Sequence, residues 1–311
     1  MKEFVKKAGL FALILVFCIV TADLLSVTEL FREPIAKMTG SAEYIEGNTG
    51  AAEILPYIEK VQREDGSKVL VVGDSVCSQM TGGLDGIDSE VTFAGTNGAI
   101  TLAGQYIMIA EYLEHHPHAE EVYLMLLPES LPRRFDTEWG YQYAAMPFAE
   151  TKTLDRLDDE TLAELERAYG KLFLQKQTAL LIDRSGLNRK LYLNAIKDRG
   201  DRVIYPDKLT LPLRQLERIR LMCAEKQVAL YFVAAPVSEA KKESTKQLLE
   251  LFAASEEGHY FPDYGKEPVY YPEEEAADGT HFSGEYASQD HYNRLIKRMC
   301  LPGSLEERVL R

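Results

Sequence analysis

The chain has 311 residues, enough for one large domain or two small ones, and its 46% apolar and 27% charged residues exclude wholesale disorder. A formal net charge of −14 argues against nucleic acid or an anionic lipid surface as partner, since most of the surface would repel either; only a locally basic cleft could hold an anion. Four cysteines without CxxC or other metal-ligand spacing suggest neither a disulfide framework nor a metal site.

Lys2, Lys6 and Lys7 precede Ala8 to Ala22, an uncharged run with the n-region and h-region pattern of a signal sequence. Leu24, Leu25, Val27, Leu30 and Phe31 carry the apolar helical pattern further, and a helix from near Phe4 to about Val27 would cross roughly 30 Å of hydrocarbon. Residues 1–30 are therefore expected to be an uncleaved single-pass anchor in the cell membrane, with the remainder extracytoplasmic. The alternative is secretion after cleavage near Ala22, where Val20-Thr21-Ala22 supplies small residues. Residues 31–66 read as a juxtamembrane connector, helical in part near Ala51 to Arg63, and residues 67–311 as the folded domain.

Lys68-Val-Leu-Val-Val-Gly-Asp-Ser75 opens that domain with a short apolar run, Val69 to Val72, that ends in a turn. Such a run is the pattern of a strand buried on both faces. Val91 to Ala94, Glu121 to Leu127 and Lys226 to Val233 repeat it. Between and after them, helical spacing marks Leu102 to Glu114, Leu213 to Ala224, Glu239 to Ala253 and Gly284 to Met299. Strands alternating with helices predict an α/β fold with a mainly parallel, doubly wound sheet. Residues 133–212 interrupt this order as a helical insertion beside the third strand. Within it Leu154, Leu157, Leu162, Leu165, Tyr169 and Leu172 share helical spacing behind an Asp158 or Asp159 N-cap, and Asn188 to Arg199 forms a second helical stretch. The insertion is either a lid over the site or a stabilising elaboration away from it.

In such sheets working residues lie beyond the carboxyl ends of strands, which is where Gly73-Asp74-Ser75 falls. A serine hydroxyl there is a candidate nucleophile; equally, Asp74 or Ser75 could simply cap the next helix. A nucleophilic serine needs a base and a group to orient that base. His115, His116 and His118 precede the third strand at the opposite edge, His259 opens a candidate strand, and His291 lies inside the last helical stretch. His281 is left, in a polar turn, with Asp278 three residues earlier able to fold back onto its ring.

Gly73-Asp74-Ser75 and Asp278-x-x-His281, in that order, resemble the first and last blocks of the SGNH (GDSL-like) hydrolase superfamily, over roughly Lys68 to Arg298. The resemblance implies a flavodoxin-like three-layer α/β/α fold and a Ser75-His281-Asp278 triad. It also implies an oxyanion hole built from the Ser75 amide and Gly98, within Asn97-Gly98-Ala99-Ile100-Thr101. No metal or organic cofactor is needed. The family's third block ends the third strand with Gly-x-Asn-Asp, where this chain has Pro128-Glu129-Ser130; Asn97 or Ser130 is then the candidate for the missing donor, since Glu129 would repel an oxyanion. Anchor, insertion and altered block together resemble the anchored branch found with cell-envelope polymer acylation, including DltD-like and alginate-acetylation proteins.

The expected activity is thus that of a serine esterase or O-acyltransferase on an acylated cell-surface glycan or a small ester, with a membrane-bound O-acyltransferase as a candidate partner. A non-catalytic accessory protein that binds glycan or such a partner is the alternative. Arg133 and Arg134, just after the third strand, could hold an anionic group of a polymer or simply keep the surface soluble. Tyr260, Phe261, Tyr264, Tyr270 and Tyr271 could stack on sugars or pack internally.

Overall fold

Five residues, Val69–Gly73, form β1, a central strand of the sheet in the computed structural model of the chain. The structure describes residues 2–26, 28, 30–31, 34, 37, 50–82, 84, 86, 88–96, 101–135, 140–184, 211–264, 266, 268–283 and 297. The helical stretch expected at Asn188 to Arg199 lies outside them, as does that at Gly284 to Met299, His291 included, apart from Lys297.

Helix α1 (Lys2–Ser26) comes first and α2 (Gly50–Val61) precedes β1. Helix α3 (Ser75–Thr81), β2 (Val91–Gly95), α4 (Leu102–His115) and β3 (Glu121–Leu126) follow. The insertion supplies α5 (Met146–Thr151), α6 (Asp159–Tyr169) and α7 (Lys176–Arg184). Then come α8 (Arg214–Glu225), β4 (Ala229–Ala234), β5 (Val237–Ser238), α9 (Lys242–Ala253), α10 (Glu256–Tyr260) and β6 (Tyr270–Tyr271). The four main strands pair in parallel in the order β2-β1-β3-β4, with Gly73 beside both Gly95 and Met125. The chain leaves β1 toward β2 on one side and returns to β3 and β4 on the other. That reversal opens a crevice at the carboxyl ends of β1 and β3.

Strands β1, β2 and β3 are buried on both faces, which is why they read as continuous apolar runs rather than alternating ones; in the edge strand β4 only Phe232 is buried. Leu70, Val72, Leu124 and Leu126 face Ile54 and Ile58 of α2, Ile107 of α4 and Phe252 of α9. Val69, Val71, Phe93 and Met125 face Val76 and Met80 of α3, together with Val237, Tyr271 and Phe282. The segment expected to be a connector therefore contributes a core helix, α2, with Ile54, Ile58 and Val61 fully buried.

Two expectations need correction. The fourth strand begins at Ala229 rather than Lys226, because Lys226 and Gln227 turn out of α8, Gln227 with a left-handed φ of 60°. His259 opens no strand; it lies in α10, whose N-cap Ser255 accepts from the Gly258 amide. Helix α6 has the predicted cap, the Asp158 side chain accepting from the Thr161 amide. Helix α1, exposed along most of its length, is long and apolar enough to cross a membrane or to serve as a signal sequence.

Candidate functional site

Gly73 and Gly95 let α3 press against the ends of the strands. A Cβ on Gly73 would stand 1.9 Å from the Met125 carbonyl oxygen, and one on Gly95 would stand 2.7 Å from the Ser78 amide nitrogen. Larger residues here would lift α3 and Ser75 with it. Asp74 is the N-cap: one carboxylate oxygen accepts from the Val76 and Cys77 amides. The other accepts from the Leu127 amide and the Ser130 hydroxyl, each at 2.7 Å, so that buried Asp74 also joins the end of β1 to the end of β3. Ser75 follows as the first residue of α3. The capping role falls to Asp74, and the Ser75 hydroxyl is not spent on it.

The partner of that hydroxyl comes from 206 positions further on: His281 Nε2 lies 2.7 Å from Ser75 Oγ. Across the ring, Nδ1 lies 2.7 Å from Asp278 Oδ2. The loop that presents them is shaped by its own backbone. Asp278 Oδ1 accepts from the Thr280 and His281 amides, Gly279 takes a left-handed φ of 77°, and Ala276 pairs with Phe282 in an antiparallel bridge. Tyr271 donates to the Thr280 carbonyl at 2.8 Å, and the Gln79 amide of α3 bonds both the N–H and the C=O of Phe282. Hydrogen bonds from the His281 ring and from the His281 backbone hold the Asp278 carboxyl down at about 2. It is a carboxylate at neutral pH. With Nδ1–H donating to it, Nε2 is left to accept the serine proton. The arrangement can activate a hydroxyl for attack on a carbonyl. Cys77 is no rival nucleophile, since burial pushes its thiol well up.

The other expected residues separate. Asn97 and Gly98 lie outside the described residues. Ser130 is not a spare donor: its hydroxyl proton goes to Asp74. Glu129 is neutralised at 2.7 Å by Lys241, a residue that no motif in the sequence singles out. Arg133 and Arg134 line a cavity of about 220 Å³ with Thr101, Phe135, Arg214 and Gln215, among the segments that follow β2 and β3. Arg214 is already paired with Glu160, Asp158 and Glu164, whereas the exposed Arg133 guanidinium has no partner among the described residues.

Of the five aromatics that could stack on sugars or pack internally, three are packing residues. Phe261, Tyr264 and Tyr271 are buried, Tyr264 stacked at 3.9 Å on Phe232 with its hydroxyl on the Leu126 carbonyl. Tyr260 lies under Arg220 and Tyr270 under Lys242. The histidines of the opposite edge also have structural duties: His115 and His116 donate Nδ1–H to the Glu111 and Tyr112 carbonyls, and His116 faces Asp65. Among the described residues no cluster of His, Cys, Asp and Glu could hold a metal ion.

Comparison with family models, with curated proteins and with solved structures gives no match.

Proposed function

We propose that the chain is a membrane-anchored, extracytoplasmic serine esterase or O-acyltransferase of the SGNH type. The observation that carries this reading is the unbroken hydrogen-bonded run from Ser75 through His281 to Asp278. The strand order β2-β1-β3-β4 agrees with the first four strands of the flavodoxin-like order and supports the three-layer α/β/α fold of that family. Helix α1 supports the anchor.

Ser75 Oγ attacks an acyl carbonyl while His281 Nε2 takes its proton. Asp278 keeps Nδ1 protonated and stabilises the imidazolium. Backbone amides of Ser75 and Gly98, with Asn97 beside them, bind the oxyanion. Collapse of the tetrahedral intermediate expels the alkoxide, which takes the proton from His281, and leaves an acyl-serine. Water or a sugar hydroxyl then resolves it by the reverse sequence. Arg133, with Arg134, holds an anionic group of the acylated envelope glycan in an otherwise acidic protein.

One observation favours the accessory, glycan-binding reading: Glu129 and Ser130 at the end of β3 are both engaged and offer no free donor to an oxyanion. The test is hydrolysis of p-nitrophenyl acetate, with fluorophosphonate labelling, by wild type and Ser75→Ala. Catalysis predicts label on Ser75 and loss of at least about 1000-fold in rate in the variant. Equal rates would favour the accessory role.

A further inference from the structure

We infer that Lys241 is a positioning residue of this site: it ties the loop bearing Asp278 and His281 to the turn after β3 and so holds the imidazole on Ser75. The inference rests on the esterase or acyltransferase reading of that site.

The loop needs such a tie. Asp278 is 58% exposed and His281 31%, so burial contributes little to fixing the ring. Its described anchors, the Ala276–Phe282 bridge, Gln79 and Tyr271, act on backbone atoms. Lys241 acts on a side chain: its ammonium donates to Thr280 Oγ1, next to His281, and to Glu129 Oε2. Lys241 and Glu129 are each only 28% exposed, so their pair is better shielded than a surface pair. The lysine stem lies along the loop, its Cε 3.9 Å from where a Cβ on Gly279 would stand.

The turn that receives this tie is the one that Asp74 already grips. Asp74 binds Leu127 and Ser130; Glu129, between them, binds Lys241. The turn at the end of β3 is thus a common mount, joined to the nucleophile through Asp74 and to the imidazole loop through Lys241 and Thr280. A change in either link alters the distance between Ser75 and His281, and displacements of about 1 Å in a reacting pair cost on the order of 100-fold in rate.

The experiment measures kcat and KM for p-nitrophenyl acetate, the rate of fluorophosphonate labelling at Ser75, and the melting temperature of the full-length protein. Lys241→Met and Thr280→Val, which each break the tie, are expected to lower kcat and the labelling rate by about 10- to 100-fold, with KM within about 2-fold and melting temperature retained. Lys241→Arg, able to reach both partners, is expected to recover part of the loss. Wild-type labelling rates in both Lys241→Met and Thr280→Val would overturn the inference. So would recovery of Lys241→Met by an added Glu129→Gln, because the lysine would then serve only to cancel a charge. If Lys241→Met does not fold, the nearly isosteric Thr280→Val carries the test. A wild type that hydrolyses no ester and takes no label at Ser75 overturns the functional reading itself, a result distinct from either of these.

Discussion

Asp74 and Asp278 are the same residue type put to opposite uses by their surroundings. Burial pushes the Asp74 carboxyl up from its ordinary range, opposed by hydrogen bonds from Leu127, Ser130, Cys77 and Val76; it acts as a structural bolt. Asp278 lies at the rim, and its bonds to His281 bring it down to about 2 from 3.8. A carboxyl whose folded value is depressed contributes its stabilisation in full above its unfolded value and loses it as the pH falls through the folded one. The hold of Asp278 on His281 is therefore intact at pH 5 and above and fails between about pH 4 and 2. Replacing it tests the hold directly. Asp278→Asn can turn its amide toward Nδ1 and favour the wrong tautomer, an effect of about 10⁴-fold where the carboxylate is buried. With Asp278 58% exposed, water replaces part of what is lost, and a fall in kcat on the order of 100- to 1000-fold at pH 8 is expected. Steady-state kinetics showing a loss under about 3-fold would remove Asp278 from the mechanism.

Helices α5 and α7 of the insertion pack together around a second unusual carboxyl. Glu150 of α5 is 4% exposed, neither of its carboxyl oxygens has a hydrogen-bond partner among the described residues, and burial, with nearby Asp183 of α7, pushes it up to about 8. Here the sign is reversed. The folded protein holds this proton more tightly than the unfolded chain, so stability declines as the pH rises from about 4.5 to about 8. Glu150→Gln removes that proton from the balance. Urea denaturation at pH 5, 6.5 and 8 is expected to show the variant gaining on wild type as the pH rises; a constant difference across the series would contradict this. Nothing in the local sequence announced this carboxyl. Met-Pro-Phe-Ala-Glu-Thr has no period that distinguishes a buried glutamate from a solvated one. Strands β1, β2 and β3 were legible because burial on both faces leaves an uninterrupted apolar run, and Asp158 was legible as a cap because its side chain acts locally. Strands β5 and β6 have two residues each and pair Val237-Ser238 with Tyr270-Tyr271, too short for any period to register. Ser75, Asp278 and His281 stood out through residue type and chain order. Lys241 did not, because its meaning lies in contacts with residues 112 positions before it and 39 after it.

At the scale of the molecule, the boundary between anchor and domain lies further toward the N-terminus than composition suggests. A break after residue 66, just before the first strand, looked natural in the sequence, yet α2 sends Ile54, Ile58 and Val61 fully into the core that backs β1. Each such side chain is worth about 1.5–3 kcal/mol when buried, and a domain typically has only about 5–15 kcal/mol of net stability. The N-terminal helix stands differently, with most of its side chains exposed. Two truncations separate the cases. A chain starting just before Gly50 loses α1 and keeps every described core side chain; it is expected to be soluble without detergent and to melt cooperatively within a few degrees of the full-length protein. A chain starting at Ser67 exposes the apolar surface of β2 and α4 that α2 had covered and should aggregate or melt without a cooperative transition. Gel filtration and thermal circular dichroism on the two chains decide the point. Equal melting temperatures would show that α2 only rests on the domain, and would return the boundary to residue 66.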